Sequence, residues 1–219
     1  MITNFLHHQT FQWGPLRLEL CIPDPGYVQR LYRDQKHHNS QTPFPYWTQV
    51  WPAALVMAEF LVYYPAYVQG KKVLEMAAGL GLPSLVAAQW ASEVYCSDYL
   101  PEAVAVIEQS VMHNALPNVT PLVLDWNQLP NNLDADVLLV SDINYDPLQF
   151  PALYALLQRF LSRGATIILT TPQRLMAKPF IEQILPLSEN REERIIMHYG
   201  EKVTISLFVL KQKRKVEAD

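Results

Sequence analysis

The chain has only seven glycines, and two of them, Gly79 and Gly81, fall in VLEMAAGLGLPS between an apolar run and a helix-like segment. A strand-to-helix turn that holds a nucleotide-type ligand needs close backbone approach, which a missing Cβ permits, and the helix start supplies oriented N–H groups. Glu75 lies within the apolar run, and Ala77 and Ala78 stand between that run and the glycines. Paired glycines also occur at ordinary strand-to-helix turns, so the glycines alone do not establish a ligand. Asp98 ends the next apolar run, in VYCSDYLPEA, roughly 20 residues beyond the first, where a doubly wound fold places the carboxylate that takes ribose hydroxyls. Its competing role is to cap the helix that starts at Pro101. Turn and acid together point to an adenosine-type ligand at the carboxyl edge of a parallel sheet. Ser141, Asp142 and Tyr145 close a further apolar run, again at the edge where such sheets gather ligand groups. Asp142 can accept a hydrogen bond from a substrate amine, or cap the helix after it.

These groups need a scaffold, and the pattern supplies one. From residue 72 onward, short apolar runs at 72–77, 93–97, 119–124, 136–141 and 165–171 alternate with longer helix-like segments, the rhythm of βαβ units. Their Val, Ile and Leu content predicts strands covered on both faces. Pro101 suits a first helical position, with Val104, Ile107 and Val111 following at spacings of three and four. Near the end, two β-rich runs at 193–199 and 203–211 flank Gly200-Glu201-Lys202, which predicts an antiparallel hairpin. Ahead of residue 72 lie an apolar segment at 16–22, a polar stretch with histidines and prolines, and a strongly apolar helix beginning near Pro52. Residues 1–45 are expected to form a lid or extra layer.

Two cofactor classes share this geometry. A dinucleotide fingerprint requires a third glycine where this chain has Ser84, preceded by Pro83, so GxGxxG is not satisfied and NAD becomes the lesser alternative. An acid in the first strand and a terminal reversed strand instead resemble a class I S-adenosylmethionine-dependent methyltransferase. Within that class, TQVWPAALVMAEFL, LDWNQLP and DVLLVSDINYDP are similar to blocks of the seven-strand protein-lysine methyltransferases, a family acting on calmodulin, elongation factors and chaperones. Asp142-Ile143-Asn144-Tyr145 matches that family's Asp-x-x-Tyr signature. The resemblance runs from about residue 48 to 150. It implies Trp51 near the methionine part of the cofactor, with Ala77, Ala78 and Gly79 forming the turn beneath. It also implies Asp98 on the ribose, Trp126 near adenine, and Ser141 in contact before the signature. An indole beside a sulfonium or an adenine offers cation–π attraction or stacking. Trp51 can equally anchor a helix that is apolar nearly all round. One departure from the family pattern is Ala77, where glycine is usual; the methyl is harmless only if φ there is negative.

Composition narrows the partners. Half of the residues are hydrophobic, 17% are charged and the net charge is −4, which fits a folded core and provides no general pull toward nucleic acid or anionic membranes. The two cysteines, Cys21 and Cys96, form no disulfide framework or zinc motif, and the N-terminus has no signal-peptide pattern, so a reducing cytoplasm is expected. His7, His8, His37 and His38 come as two adjacent pairs with no carboxylate at metal-ligand spacing, and no metal is assigned to them.

The combined expectation is an α/β fold with a Rossmann-like, seven-stranded, mostly parallel sheet and a C-terminal antiparallel hairpin. An N-terminal cap (1–45) precedes the methyltransferase domain (46–211), and a basic-to-acidic tail (212–219) completes the chain. S-adenosylmethionine is the expected cofactor and a protein lysine the expected acceptor. The alternatives are a small amine acceptor or an inactive cofactor-binding module. Asp142 and Tyr145 are the catalytic candidates. Trp51, Glu75, Ala77, Ala78, Gly79, Gly81, Asp98, Trp126 and Ser141 are the cofactor candidates.

Overall fold

The computed structural model describes residues 2–42 and 44–212. Most of the 212–219 tail therefore lies outside the described residues. The chain opens with a β-hairpin, β1 (Leu6–Trp13) and β2 (Leu16–Pro23), followed by α1 (Pro25–His38) and α2 (Pro52–Tyr63). The expected alternation comes next: β3 (Lys72–Met76), α3 (Leu82–Ala87), β4 (Glu93–Asp98), α4 (Pro101–His113), β5 (Val119–Val123), β6 (Val137–Ser141), α5 (Phe150–Ser162) and β7 (Thr166–Pro172). The chain closes with α6 (Lys178–Ile184), β8 (Ser188–His198) and β9 (Glu201–Leu210).

The main sheet has seven strands in the order β5-β4-β3-β6-β7-β9-β8. All neighbours pair in parallel except β9, which runs antiparallel to both β7 and β8. The reversed strand thus sits one place in from the edge: the crossover from β7 through α6 leaves a gap that β9 fills. The terminal hairpin is longer than its apolar pattern, because β8 is an edge strand whose N-terminal half, SENREE, is charged.

Strand alternation sends successive side chains to opposite faces. Val73, Val94, Cys96, Val137, Leu139 and Ile168 join one apolar cluster with residues of α2, α3 and α4, whereas Leu74, Met76, Leu138, Val140 and Leu169 join the other with α5 and α6. α2 is apolar all round because it is buried on nearly every side, with Ala53, Val56, Met57, Ala58, Phe60 and Leu61 in the core. The N-terminal layer shares this core: Leu18, Leu20 and Val28 belong to the first cluster. The hairpin packs against α4 and is not a lid. The parts of this region that reach the site are Ile2, α1 and the aromatic segment after it.

The chain enters the sheet at β3, steps outward to β4 and β5, then returns to β6 on the other side of β3. That reversal opens a crevice beyond the carboxyl ends of β3 and β6, where ligands of open α/β sheets bind.

Candidate active site

A cavity of about 740 Å³ occupies this crevice, within the range of small-molecule sites. Its floor is the turn after β3. Ala78 N–H donates to Ser97 O (2.9 Å) and Gly79 N–H donates to Asp98 Oδ2 (3.0 Å), which ties the turn to β4. Ala77, Gly79 and Gly81 all have positive φ, at 51°, 58° and 76°. The condition for a harmless methyl at Ala77 is therefore not met: this alanine is held in a left-handed conformation that disfavours a Cβ. At Gly81 the constraint is contact as well as φ. A Cβ there would lie 2.7 Å from Cys96 Sγ, so its absence lets α3 pack onto β4.

Glu75 has a different role from the one expected. Alternation turns it into the face occupied by α3, where it is fully buried and does not line the cavity. Its Oε2 accepts from Ser84 N–H (2.9 Å) and Ser84 Oγ (2.6 Å), while Oε1 has no partner among the described residues. Burial pushes its carboxyl up to about 8, against the opposing Ser84 bonds. The consequence reaches the cofactor. In the first turn of α3, Pro83 has no N–H and the Ser84 N–H is already bonded to Glu75. A helix start with these donors removed is poorly equipped to bind a pyrophosphate.

Asp98 lines the cavity and is 4% exposed. Oδ2 accepts from Gly79 N–H and Oδ1 from Leu100 N–H (3.1 Å), so the capping role and the cavity role coexist. Burial raises its carboxyl above the usual range, and the backbone donors of Leu100, Gly79 and Tyr99 oppose that. Each carboxylate oxygen offers two lone pairs, which leaves one on each for a diol.

Trp51, Ala77, Ala78, Ser141, Asp142 and Tyr145 also line the cavity. Trp51 stands at the start of α2 and donates Nε1–H to Tyr46 O (2.8 Å), with its ring 6.1 Å from that of Tyr46 and 6.4 Å from that of His198. Trp126 does not reach the cavity: it lies in a short 3-10 turn and packs with Leu124, Leu129 and Leu133 against the second core cluster. Its loop is polar in sequence, but the indole covers the apolar side of the sheet beside α5. The aromatic wall after β4 is instead Tyr99, whose hydroxyl is pushed up by burial and by Asp98.

At the end of β6, Asp142 adopts φ 54°, and its N–H donates to Thr170 O (2.8 Å) on β7. Its side chain is only 12% exposed and accepts from both terminal nitrogens of Arg174, the Nη2–Oδ2 bond being 2.9 Å. Asn144 points away from the cavity and accepts from Thr171 Oγ1 (2.7 Å), which anchors the signature loop to β7. Tyr145, half exposed, has its hydroxyl raised by burial and then by Tyr99 and nearby carboxylates. Arg174, Tyr99 and Trp47 are cavity residues not anticipated from sequence. Arg174 had a signal: it lies two residues beyond β7, on the same carboxyl edge.

A family model described as "Lysine methyltransferase" matches residues 40–186. Human "Histone-arginine methyltransferase METTL23" is 36% identical over 112 residues, covering 48% of this chain and 59% of that protein. Mouse "EEF1A lysine methyltransferase 3" is 31% identical over 146 residues, covering 63% and 62%. This chain thus aligns with less than two thirds of each of these relatives. Among solved structures, the Thermus thermophilus 16S rRNA N2 G1207 methyltransferase superposes with a TM-score of 0.63 at 16% identity, covering 95% of this chain and 51% of that one. Magnesium protoporphyrin IX methyltransferase from Synechocystis gives 0.56 at 16%, covering 86% of both. At such identities these two structures speak to fold alone.

Proposed function

Because this chain belongs to the lysine methyltransferase family, we propose that it transfers a methyl group from S-adenosylmethionine to a protein lysine side chain. The observation that carries the proposal is the placement of two carboxylates, Asp98 and Asp142, on one cavity at the switch between β3 and β6. Asp98 has lone pairs for the ribose hydroxyls, and the depleted N-terminus of α3 suits a cofactor without phosphates. Trp51 and Tyr99 supply aromatic surface, and the volume accommodates the group. When bound, S-adenosylmethionine supplies an electrophilic methyl on a sulfonium.

The protein's remaining work is to orient and desolvate the acceptor. A lysine ammonium must first lose a proton. Arg174 neutralises the Asp142 carboxylate and so weakens its stabilisation of the ammonium form, while Asp142 and the Tyr145 hydroxyl can accept N–H groups of the amine. The loops after β6 and β7, which bring Asp142, Tyr145 and Arg174 to the cavity, favour a macromolecular acceptor over a small amine: their Leu148, Leu175, Met176 and Tyr145 are 87%, 95%, 53% and 55% exposed. Such exposed apolar side chains suit protein contact. Arginine is the second reading, favoured by the fork geometry in which Asp142 already holds a guanidinium. Among the described residues no helix is long and apolar enough to cross a membrane. The two buried free cysteines suit the reducing cytoplasm in which we place the reaction.

Incubation with methyl-labelled cofactor and a cell lysate, followed by hydrolysis of the protein fraction, tests the proposal. Label in methyllysine is the expected result. Label in methylarginine selects the second reading, and label confined to small molecules or absent overturns the protein-acceptor reading.

A further inference from the structure

On the outer side of the molecule, three residues far apart in sequence converge. His8 of β1, Glu19 of β2 and His113 of α4 bring one ligand-type atom each to within 4.8 Å of one another. His113 Nε2 lies 2.9 Å from Glu19 Oε2, and the His8 and His113 rings are 4.3 Å apart between centroids. We propose that these three side chains form a binding site for a zinc-type divalent ion that ties the N-terminal hairpin to α4.

The site is built from the backbone upward. In the hairpin register His8 faces Cys21, and Glu19 lies two residues from Cys21 on the same strand, so His8 and Glu19 are diagonal neighbours on one face. The open edge of β2 is fastened to α4. Cys21 N–H donates to Ser110 Oγ (3.0 Å), Glu19 N–H donates to Asn114 Oδ1 (2.9 Å), and Asn114 Nδ2 donates to Glu19 O (2.6 Å) and Ser110 O (2.7 Å). These bonds hold the Glu19 backbone at the end of α4, beside His113. Arg17 holds Oε1 of the Glu19 carboxylate (2.6 Å), which orients the group and leaves Oε2 facing the histidine.

Two imidazole nitrogens and one carboxylate oxygen make the ligand set of a zinc site that keeps a fourth position for water. Bond lengths of about 2.0 to 2.2 Å place tetrahedral ligand atoms roughly 3.5 Å apart, so rotation of exposed side chains suffices to close the present spacing. His113 also ends α4, where the helix dipole favours a cation. Adjacent histidine pairs gave no hint of this arrangement, since Glu19 and His113 reach His8 only through the packing of hairpin on helix.

Calorimetric titration of the full chain with zinc chloride tests the site, with visible absorption of the cobalt(II) form as a second readout. One equivalent should bind. His8→Ala, Glu19→Gln and His113→Ala should each weaken binding by at least about tenfold and remove the tetrahedral cobalt bands, whereas His7→Ala, altering the neighbour on the opposite strand face, should not. Zinc should raise the melting temperature of the parent chain and leave that of His113→Ala unchanged. Absence of binding up to about 1 mM zinc, or full affinity in both His8→Ala and His113→Ala, would overturn the proposal and leave only a His113–Glu19 contact. His8 and His113 are exposed and Glu19 is partly exposed, and circular dichroism establishes that each variant is folded before titration.

Discussion

Arg174 grips the Asp142 carboxylate with both terminal guanidinium nitrogens, across the gap between the ends of β7 and β6. Asp142 is buried enough that an unpaired charge there would be costly, and the pairing also raises the already high basicity of Arg174. An incoming acceptor therefore meets a neutralised pair, not a bare anion.

For the proposed lysine acceptor, removing the guanidinium strengthens the pull of Asp142 on the ammonium form. Arg174→Gln should move the alkaline-rising limb of the transfer rate to higher pH while S-adenosylhomocysteine affinity stays unchanged. A pH–rate series on an identified acceptor measures this; an unshifted limb would make Arg174 merely structural. Asp142→Ala should lower transfer by on the order of a hundredfold, again with unchanged S-adenosylhomocysteine binding.

Asp98 both locks the turn and faces the cavity. Asp98→Ala should weaken S-adenosylhomocysteine binding by about 1.5 to 3 kcal/mol, the range for hydrogen bonds to a charged group. Asp98→Asn keeps one acceptor oxygen but turns its amide N–H groups toward the second backbone donor, so it should cost about 1 to 3 kcal/mol of stability and, where folded, bind the ligand less tightly. Calorimetry on both variants checks this, and equal affinity in folded Asp98→Asn would restrict Asp98 to the turn.

Glu75 makes stability depend on pH in the direction opposite to that of a salt-bridged carboxylate. Its folded value, about 8, lies above the 4.5 of an unperturbed glutamate, so between those values the folded chain holds a proton that the unfolded chain has lost. Its contribution is fully present below pH 4.5 and disappears as pH rises through 8. Urea denaturation from pH 6 to 8.5 should show stability falling by up to about 1.4 kcal/mol per pH unit from this group, with Glu75→Gln flattening the slope. A slope identical in the two proteins would place the proton elsewhere.

Gly81 and Cys96 should be coupled. Gly81→Ala sets a Cβ against sulfur at 2.7 Å and imposes φ 76° on an L-residue. A loss of about 2 to 4 kcal/mol is expected from the clash and the backbone strain together. In a Cys96→Ala background the clash disappears, so the same substitution should cost only the strain, about 1 to 2 kcal/mol. Thermal or urea unfolding of the double-mutant cycle measures the difference, and additive effects would contradict the contact.

Apolar periodicity and a missing Cβ act over a few neighbouring residues, and so the strand-helix alternation from residue 72, the glycine turn and the acid beyond it can be read from the chain alone. Gly79, Asp98, Ser141, Asp142 and Tyr145 were legible on that basis and from the Asp-x-x-Tyr block; all five line one cavity. The direction in which the other residues face is set by packing between layers. Glu75 turns into α3 by strand alternation, and Trp126 covers the second core cluster because its loop folds back over that face. Arg174 reaches Asp142 because β6 and β7 are neighbours in the sheet, and Glu19 reaches His113 because the hairpin lies on α4. Each of these depends on contacts between residues well separated in the chain, whose pairing is set by how the layers stack and not by any local pattern.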